Sequence, residues 1–184
     1  MADESECLQA VEKLKATFAT GKTKPLEWRI AQLKALQKMI TENESLFAEA
    51  LAKDLGRSLF EAVGLELIPT AMEITEIISN LKSWAKPVRT SVPALMAPAI
   101  SEYVYEPYGV CLIISAFNYP IQLTLGPLLG AIMAGNCAVI KVLISSFFPT
   151  ASCEQYFKTI YYFLYVLSLF SRANWHPLVK KCCE

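Results

Sequence analysis

The chain has 184 residues, and its 17 basic side chains balance 17 acidic ones, so its formal net charge is zero. That balance gives no electrostatic footprint for nucleic acid, and we expect no nucleic-acid partner. The length suits one ordinary domain, and the acidic start MADESE does not resemble a signal peptide, so we expect a cytoplasmic location.

The first part of the chain, residues 6–85, is predicted to be helical. Apolar residues recur at helical spacing over residues 8–18 before Gly21, and again over residues 26–40 behind Pro25. A glycine favours the end of a helix and a proline its start, so we expect two separate helices here.

Two sequence patterns predict later helix starts. Thr41 with Glu44, and Ser58 with Glu61, each have the spacing of a capping box, in which a hydroxyl and a carboxylate satisfy free N–H groups. A long helix should follow the second box, and Pro69 should kink it.

The stretch 86–100 has three prolines and no clear period, which is typical of a linker. Residues 101–106 alternate, and we expect a strand there that pairs elsewhere in the structure.

A strand–helix–strand unit is predicted over residues 109–141. The strand 109–115 is a continuous apolar run, so we expect both of its faces to be buried, as in a parallel sheet. The helix 121–134 is apolar nearly all round, and the second strand, 137–140, ends before Lys141. This pattern predicts an α/β fold with a right-handed crossover.

Two polar residues follow the predicted strands. Asn118 lies in the turn after the first strand and Lys141 at the end of the second. Ligands of open α/β sheets bind beyond the carboxyl ends of the strands, which makes both residues site candidates. Taken alone, such an asparagine is more often a turn former or helix cap, and such a lysine is usually only solvated.

The tail 142–184 differs in composition from the first ninety residues. The first ninety residues carry 25 of the 34 charged residues, whereas the tail carries six in 43. Its uncharged run, 159–171, is short for a bilayer span, which needs about 20 apolar residues. We weigh a read-through sequence, a buried segment and an internal-membrane contact through residues 156–170 as alternatives.

Several segments resemble the aldehyde dehydrogenase superfamily: EPYGV, the FNYP turn, GPLLGAIMAGN and AVIK. The segments TKPLEWRIAQLKAL and ALAKDLGRSLFEA resemble its class 3, fatty-aldehyde branch. The resemblance covers roughly residues 8–141. It implies N-terminal helices followed by the first βαβ unit of a Rossmann-like cofactor-binding domain, as part of an incomplete aldehyde dehydrogenase fold. In the family, the region of residues 101–106 belongs to the oligomerisation element.

The resemblance also implies roles for five residues. Asn118 matches the family asparagine whose amide stabilises the oxyanion formed when a cysteine thiolate attacks the aldehyde. Lys141 matches the lysine that binds the ribose of NAD or NADP, and Ser115, Ala116 and Phe117 match the stretch that lines the cofactor cleft. The substrate it implies is a small-molecule aldehyde, and a homo- or hetero-oligomer is an expected assembly.

The chain departs from the family after Lys141, where KVLISSFFPT lacks the acidic residue that also meets the ribose. The nucleophile cysteine and the general base are also missing. The six cysteines are outside any nucleophile context and lack framework spacing, which fits a reducing compartment: Cys7, Cys111, Cys137, Cys153, Cys182 and Cys183. With His176 as the only histidine, we expect no metal site.

Three hypotheses follow from this reading. The resemblance implies an NAD(P)-dependent oxidation of an aldehyde to a carboxylic acid, with this chain inactive because essential groups are missing. The alternatives are a non-catalytic fragment, unstable or paired with a full-length relative, and a small protein that associates with a membrane through its tail.

Overall fold

A computed structural model describes residues 4–142 of the chain, and the tail predictions therefore lie almost entirely outside the described residues. Six α-helices and four strands occupy this part, in the order given by the following bounds. The helices are α1 (Glu4–Ala19), α2 (Leu26–Glu42), α3 (Glu44–Leu55), α4 (Leu59–Ala62), α5 (Ile68–Trp84) and α6 (Pro120–Ala134). The strands are β1 (Val88–Thr90), β2 (Ser101–Tyr103), β3 (Val110–Ser115) and β4 (Cys137–Val142).

The predicted helix ends at glycines are confirmed. Gly21 follows α1 with a φ of 72°, and Gly56 ends α3 with a φ of 65°. Both angles lie in the left-handed region that costs a glycine little, because it has no Cβ. Pro25 precedes α2 in an extended conformation, as its fixed φ favours.

One of the two predicted capping boxes is present. The Ser58 hydroxyl accepts the Glu61 backbone N–H, and the Glu61 carboxylate accepts the Ser58 backbone N–H at 3.0 Å. The box at Thr41 is wrong, because Thr41 lies inside α2 and donates to the Gln37 carbonyl oxygen at 3.0 Å. Asn43 separates α2 from α3 instead, so α2 extends to Glu42, beyond the helix start that the pattern predicted at Thr41.

The long helix predicted after Ser58 is interrupted as expected. The interruption is a π-helical turn that precedes Pro69, and not a kink at Pro69 itself. This wider turn spans Val63–Leu67 and joins α4 to α5. Pro69 lies in the first turn of α5, directly after the π-turn.

The stretch predicted as a linker contains the short strand β1. It pairs antiparallel with β2, and Val88 lies opposite Tyr103. All six residues of this hairpin are exposed, so hydrophobic burial contributes nothing to it within the described residues. An Arg89–Glu102 ion pair at 3.1 Å and a hydrogen bond between the Thr90 and Ser101 hydroxyls cross the pair. The alternating strand predicted at 101–106 therefore has its partner inside the supposed linker.

The predicted strand–helix–strand unit is confirmed, with β3 parallel to β4 and α6 as the crossover. Ile113 lies opposite Ile140, and both belong to the core that α6 closes. The core is built by α2, α3, the π-turn, α5, α6 and one face of the β3–β4 pair, through these buried residues: Leu33, Leu36, Phe47, Leu67, Ile74, Leu81, Leu125, Leu128, Leu129 and Ile140.

The expectation that both faces of the first strand are buried is wrong. Ile113 is 7% exposed, whereas its neighbours Leu112 and Ile114 are 62% and 59% exposed. Side chains alternate between the faces of a strand. Helix α6 covers the face of Ile113. Helix α1 also contacts both strands, but it leaves the Leu112 and Ile114 side chains exposed. The apolar run indicated a parallel sheet correctly, but not which face is covered within residues 4–142.

Candidate functional site

The two predicted site residues lie at the carboxyl ends of two parallel strands, at the same edge of the sheet, although Lys141 lies inside its strand and does not follow it as predicted. Asn118 lies in the turn between β3 and α6, and Lys141 is the fifth residue of β4. Both side chains are exposed. The carboxyl ends of parallel strands meet at one edge, so the fold places both residues where an open α/β sheet binds its ligands.

The remaining predicted cofactor residues directly precede Asn118, at the end of β3 and in the turn that follows it. Ser115 is 2% exposed, and its hydroxyl has no hydrogen-bond partner among the described residues. Ala116 is half-buried and Phe117 is exposed. Because Ser115 pairs with Val142 and Lys141 with Ile114, Ser115 and Lys141 point to opposite faces of the sheet.

The unit is closed at its other end by the turn between α6 and β4. Gly135 ends α6 with a φ of 86°, and the Asn136 side-chain oxygen accepts the Gly109 backbone N–H at 2.9 Å. The Cys137 N–H also donates to the Gly109 carbonyl oxygen at 2.8 Å. Asn136 thus sets the register of β3 against β4, a role beyond the turn-forming one that the sequence indicated.

The Asn118 turn is held by Arg57, which contacts both the Asn118 backbone and the Tyr119 ring, and by Glu66. The sequence patterns indicated neither Arg57 nor Glu66. Arg57 donates through Nη2 to the Asn118 carbonyl oxygen at 2.5 Å, and its guanidinium carbon lies 4.1 Å from the centre of the Tyr119 ring. Arg57 Nη1 and Glu66 Oε1 lie 3.0 Å apart, as an ion pair without the alignment of a hydrogen bond.

Glu66 is the fully buried acid of this group, with 0% of its side chain exposed. Its second oxygen accepts the backbone N–H of Ile121 at 2.9 Å and, more weakly, that of Gln122 at 3.4 Å. Burial raises the pKa of the Glu66 carboxyl, while the N–H groups and Arg57 oppose that rise. One signal in the sequence could have found it, because Glu66 precedes Thr70, Ile74, Ile77 and Leu81 at helical spacing and so interrupts an apolar stripe.

Cys111 and Cys137, the two cysteines whose side chains the structure describes, do not form a nucleophilic site. Cys111 and Cys137 are free thiols on the paired strands, and burial raises the pKa of Cys137, with Cys111 adding to the rise. A raised pKa lowers the thiolate fraction that attack requires. Residues 4–142 also contain no cluster of three metal-binding side chains. No helix in this range has the length and apolar composition needed to cross a bilayer.

The cofactor that the resemblance implies fits the residues present at Lys141, whose exposed ammonium offers three donors at the end of β4. The Ser115 hydroxyl has no hydrogen-bond partner among the described residues, but it is buried on the opposite face of the sheet and is not exposed to a ligand beside Lys141.

Comparison with known proteins gives the chain its relatives. The aldehyde dehydrogenase family matches over residues 1–157, which extends beyond the predicted limit at Lys141. Aldehyde dehydrogenase family 3 comG of Dictyostelium discoideum is 43% identical over 131 residues, and family 3 member B1 of Bos taurus is 43% identical over 132. Each alignment covers 71% of this chain and 28% of the relative. The chain thus spans little more than a quarter of the length of these relatives.

Solved structures agree with this assignment. The substrate-bound AldH of Staphylococcus aureus superposes with a TM-score of 0.72 at 41% identity, over 76% of this chain and 30% of that one. A succinic semialdehyde dehydrogenase from Streptococcus pyogenes, at 16% identity, shares the fold with a TM-score of 0.73 over 97% of this chain and 38% of that one. The chain therefore belongs to the aldehyde dehydrogenase family, and its relatives place it in the family 3 branch.

Proposed function

We propose that this chain carries the oxyanion asparagine and one wall of the cofactor site of an NAD(P)-dependent aldehyde dehydrogenase, and that the chain by itself does not oxidise an aldehyde. The observation that carries the proposal is the position of Asn118, exposed in the turn between β3 and α6 at the ligand-binding edge of the sheet.

The chemistry assigned to Asn118 suits a side-chain amide. When a thiolate attacks an aldehyde, negative charge develops on the aldehyde oxygen, and a neutral N–H donor fixed in place stabilises that charge. Losing one such donor typically costs about 10²–10³ in rate. Among the described residues, no hydrogen bond holds the Asn118 amide, so its N–H groups are available to a ligand.

Lys141, Ser115, Ala116 and Phe117 are assigned to the cofactor. The Lys141 ammonium would donate to ribose hydroxyls, and the backbone of Ser115 together with the following turn would line the cleft. The cofactor supplies a hydride acceptor when it is bound, whereas these residues only bind and orient it.

The inactivity of the chain follows from the groups it lacks. The resemblance implies a cysteine nucleophile and a glutamate base, and neither has a counterpart among the six cysteines or the acidic residues of this sequence. Without a nucleophile, an oxyanion donor has no developing charge to stabilise.

Two measurements test the proposal. The purified chain, mixed with a medium-chain aldehyde and NAD or NADP, should give no NAD(P)H absorbance above a protein-free control; a robust rate would refute the inactive assignment. Titration calorimetry with NAD and NADP tests whether the proposed wall of the cofactor site binds the cofactor. We expect Lys141→Met to weaken any binding and the control Lys82→Met, at an exposed lysine of α5, to leave it unchanged. If the two substitutions changed binding equally, Lys141 would not belong to the cofactor site.

A second candidate function is a non-catalytic partner of a full-length relative. The exposed apolar side chains of the hairpin region and of the open face of β3 favour it: Val88, Tyr103, Val104, Tyr105, Leu112 and Ile114. Co-expression with a family 3 enzyme and size-exclusion chromatography with light scattering test this function. Elution of the two chains as separate species would exclude it.

A further inference from the structure

The turn that carries Asn118 is held from outside the strand–helix–strand unit. Arg57, in the segment between α3 and α4, reaches the turn with two contacts: a hydrogen bond to the Asn118 carbonyl oxygen and the stacking of its guanidinium on the Tyr119 ring. The hydrogen bond fixes the backbone of Asn118 itself, and the ring contact holds the side chain of the next residue. A side chain is aimed by its own backbone, so the direction of the Asn118 amide depends on these contacts.

Arg57 is in turn fixed by Glu66. The Arg57 side chain is only 14% exposed, and its Nη1 lies 3.0 Å from the fully buried Glu66 carboxylate. A guanidinium has donors in a rigid fork, so one Arg57 side chain contacts the carboxylate with Nη1 and the Asn118 carbonyl with Nη2.

The same carboxylate also caps the helix behind the turn. Helix α6 begins after Tyr119, which provides no side-chain cap, so its first N–H groups need an acceptor from elsewhere. Glu66 supplies that acceptor to Ile121 and Gln122. The negative charge also suits the positive end of the helix dipole. The turn is thus held at its start through Arg57 and at its end through Glu66.

The π-turn Val63–Leu67 contains Glu66 and joins α4 to α5. It places the acid at the head of the buried side of α5, next to the buried Leu67. Such wide turns are uncommon and occur often at functional sites.

We propose that Arg57 and Glu66 are positioning residues for the Asn118 side-chain amide. This inference rests on the proposed function, in which that amide stabilises an oxyanion. It goes beyond a stabilising ion pair, because it requires that the direction of the amide change when the fork of Arg57 is lost, even in a folded chain.

The decisive variant is Arg57→Lys. A lysine retains the positive charge that the Glu66 carboxylate needs, so the cap of α6 should remain. A single ammonium cannot reproduce the fork or stack as a planar group on Tyr119, so the contact with the Asn118 carbonyl should be lost. If the pair acted through its charge alone, lysine would leave both the start of α6 and the Asn118 amide unchanged.

The experiment is nuclear magnetic resonance on the isotope-labelled full chain, which needs neither turnover nor cofactor. In Arg57→Lys we expect the backbone amide signals of Ile121 and Gln122 to stay near their original shifts, while the Asn118 side-chain NH₂ signals shift and lose order. Arg57→Gln and Glu66→Gln should disturb both sets of signals. The matched control Arg89→Gln removes an exposed ion pair and should change neither.

Asn118 side-chain signals that stay unchanged in a folded Arg57→Lys variant would overturn the proposal. Tyr119→Leu provides a second route if arginine variants fail to fold, since it removes only the ring beneath the guanidinium. It should also shift the Asn118 NH₂ signals, and unchanged signals there would likewise count against the proposal. A positive result with no cofactor binding would instead sustain the positioning role and count against the proposed function.

Discussion

Thr23 donates its hydroxyl to the Gly135 carbonyl oxygen at 2.7 Å, across 112 residues of sequence. This buried bond joins the turn between α1 and α2 to the turn between α6 and β4. Arg29 adds a second link from α2, because its Nη1 donates to the Met133 carbonyl oxygen at 2.9 Å. The N-terminal helices therefore hold the end of α6 opposite to the one that carries Asn118.

Thr23→Val should destabilise the chain. Valine has nearly the same shape but no donor, so the Gly135 carbonyl would lose this bond in a buried place. The expected loss is about 1–3 kcal/mol in the free energy of unfolding, measured by urea denaturation. Thr20→Val is the control, because the Thr20 hydroxyl bonds to the Thr17 carbonyl at an exposed site. Its effect should stay within about 0.5 kcal/mol, and equal losses would contradict the role of Thr23.

Gly135→Ala should cost more than Gly56→Ala. Both glycines end helices with positive φ, so an alanine at either place carries backbone strain of about 1–2 kcal/mol. At Gly135 the new Cβ would also lie 3.0 Å from Arg29 Nε, whereas nothing lies within 4 Å at Gly56. Crowding of this kind typically adds about 1–3 kcal/mol. Thermal or urea unfolding of the two variants gives the comparison, and equal losses would show that Arg29 moves away freely.

Stability should depend on pH through Glu66. Its pKa is raised in the folded chain, mainly by burial, so the folded state binds this proton more readily than the unfolded state does. Stability from this group is then fully present below the ordinary value of 4.5 and is lost as pH rises through the raised folded pKa.

The Glu66→Gln variant isolates that effect. We expect the unfolding free energy of the original chain, minus that of the variant, to increase as the pH falls from neutral toward 4.5, because other carboxyls cancel in the difference. Urea unfolding at a series of pH values measures it. A difference that stays constant, or that falls at lower pH, would contradict the raised pKa.

Ile113→Ala and Ile114→Ala should differ sharply, although the two residues are adjacent in β3. Ile113 is in the core, so its truncation leaves a cavity and should cost about 2–5 kcal/mol. Ile114 lies on the open face, and its truncation should cost less than about 1 kcal/mol. Denaturant unfolding of both variants tests which face is covered. Similar large losses would mean that something covers the open face in solution.

Ser58→Ala should weaken the start of α4, whereas Thr41→Ala should not weaken any helix start. Losing the Ser58 cap removes an acceptor for the Glu61 N–H and should cost about 0.5–2 kcal/mol. Thr41 lies inside α2, where alanine is the better helix former, so its replacement should be neutral or slightly stabilising. Circular dichroism during thermal unfolding gives both values. A clear loss of stability in Thr41→Ala would indicate that Thr41 caps a helix after all, contrary to the structure.

The sequence by itself determined the local features of this protein and its family. The glycines that end α1, α3 and α6, the cap at Ser58 and the parallel pairing of two apolar strands follow from local conformational preferences and hydrophobic period, which neighbouring residues carry. The segments EPYGV and FNYP indicated the aldehyde dehydrogenase family for the same reason, since a short segment can be matched without knowing what it touches.

Only the tertiary structure decided what holds the candidate site. Arg57 and Glu66 lie 61 and 55 residues from the atoms they contact at Asn118 and Ile121, and no local pattern specifies such a pairing. The exposure of Leu112 and Ile114 could not be predicted from the sequence either. An apolar run shows that its side chains favour burial, but it does not show which element buries them. A buried acid, an outside cap and an open sheet face all depend on contacts between distant segments, and those contacts exist only once the chain has folded.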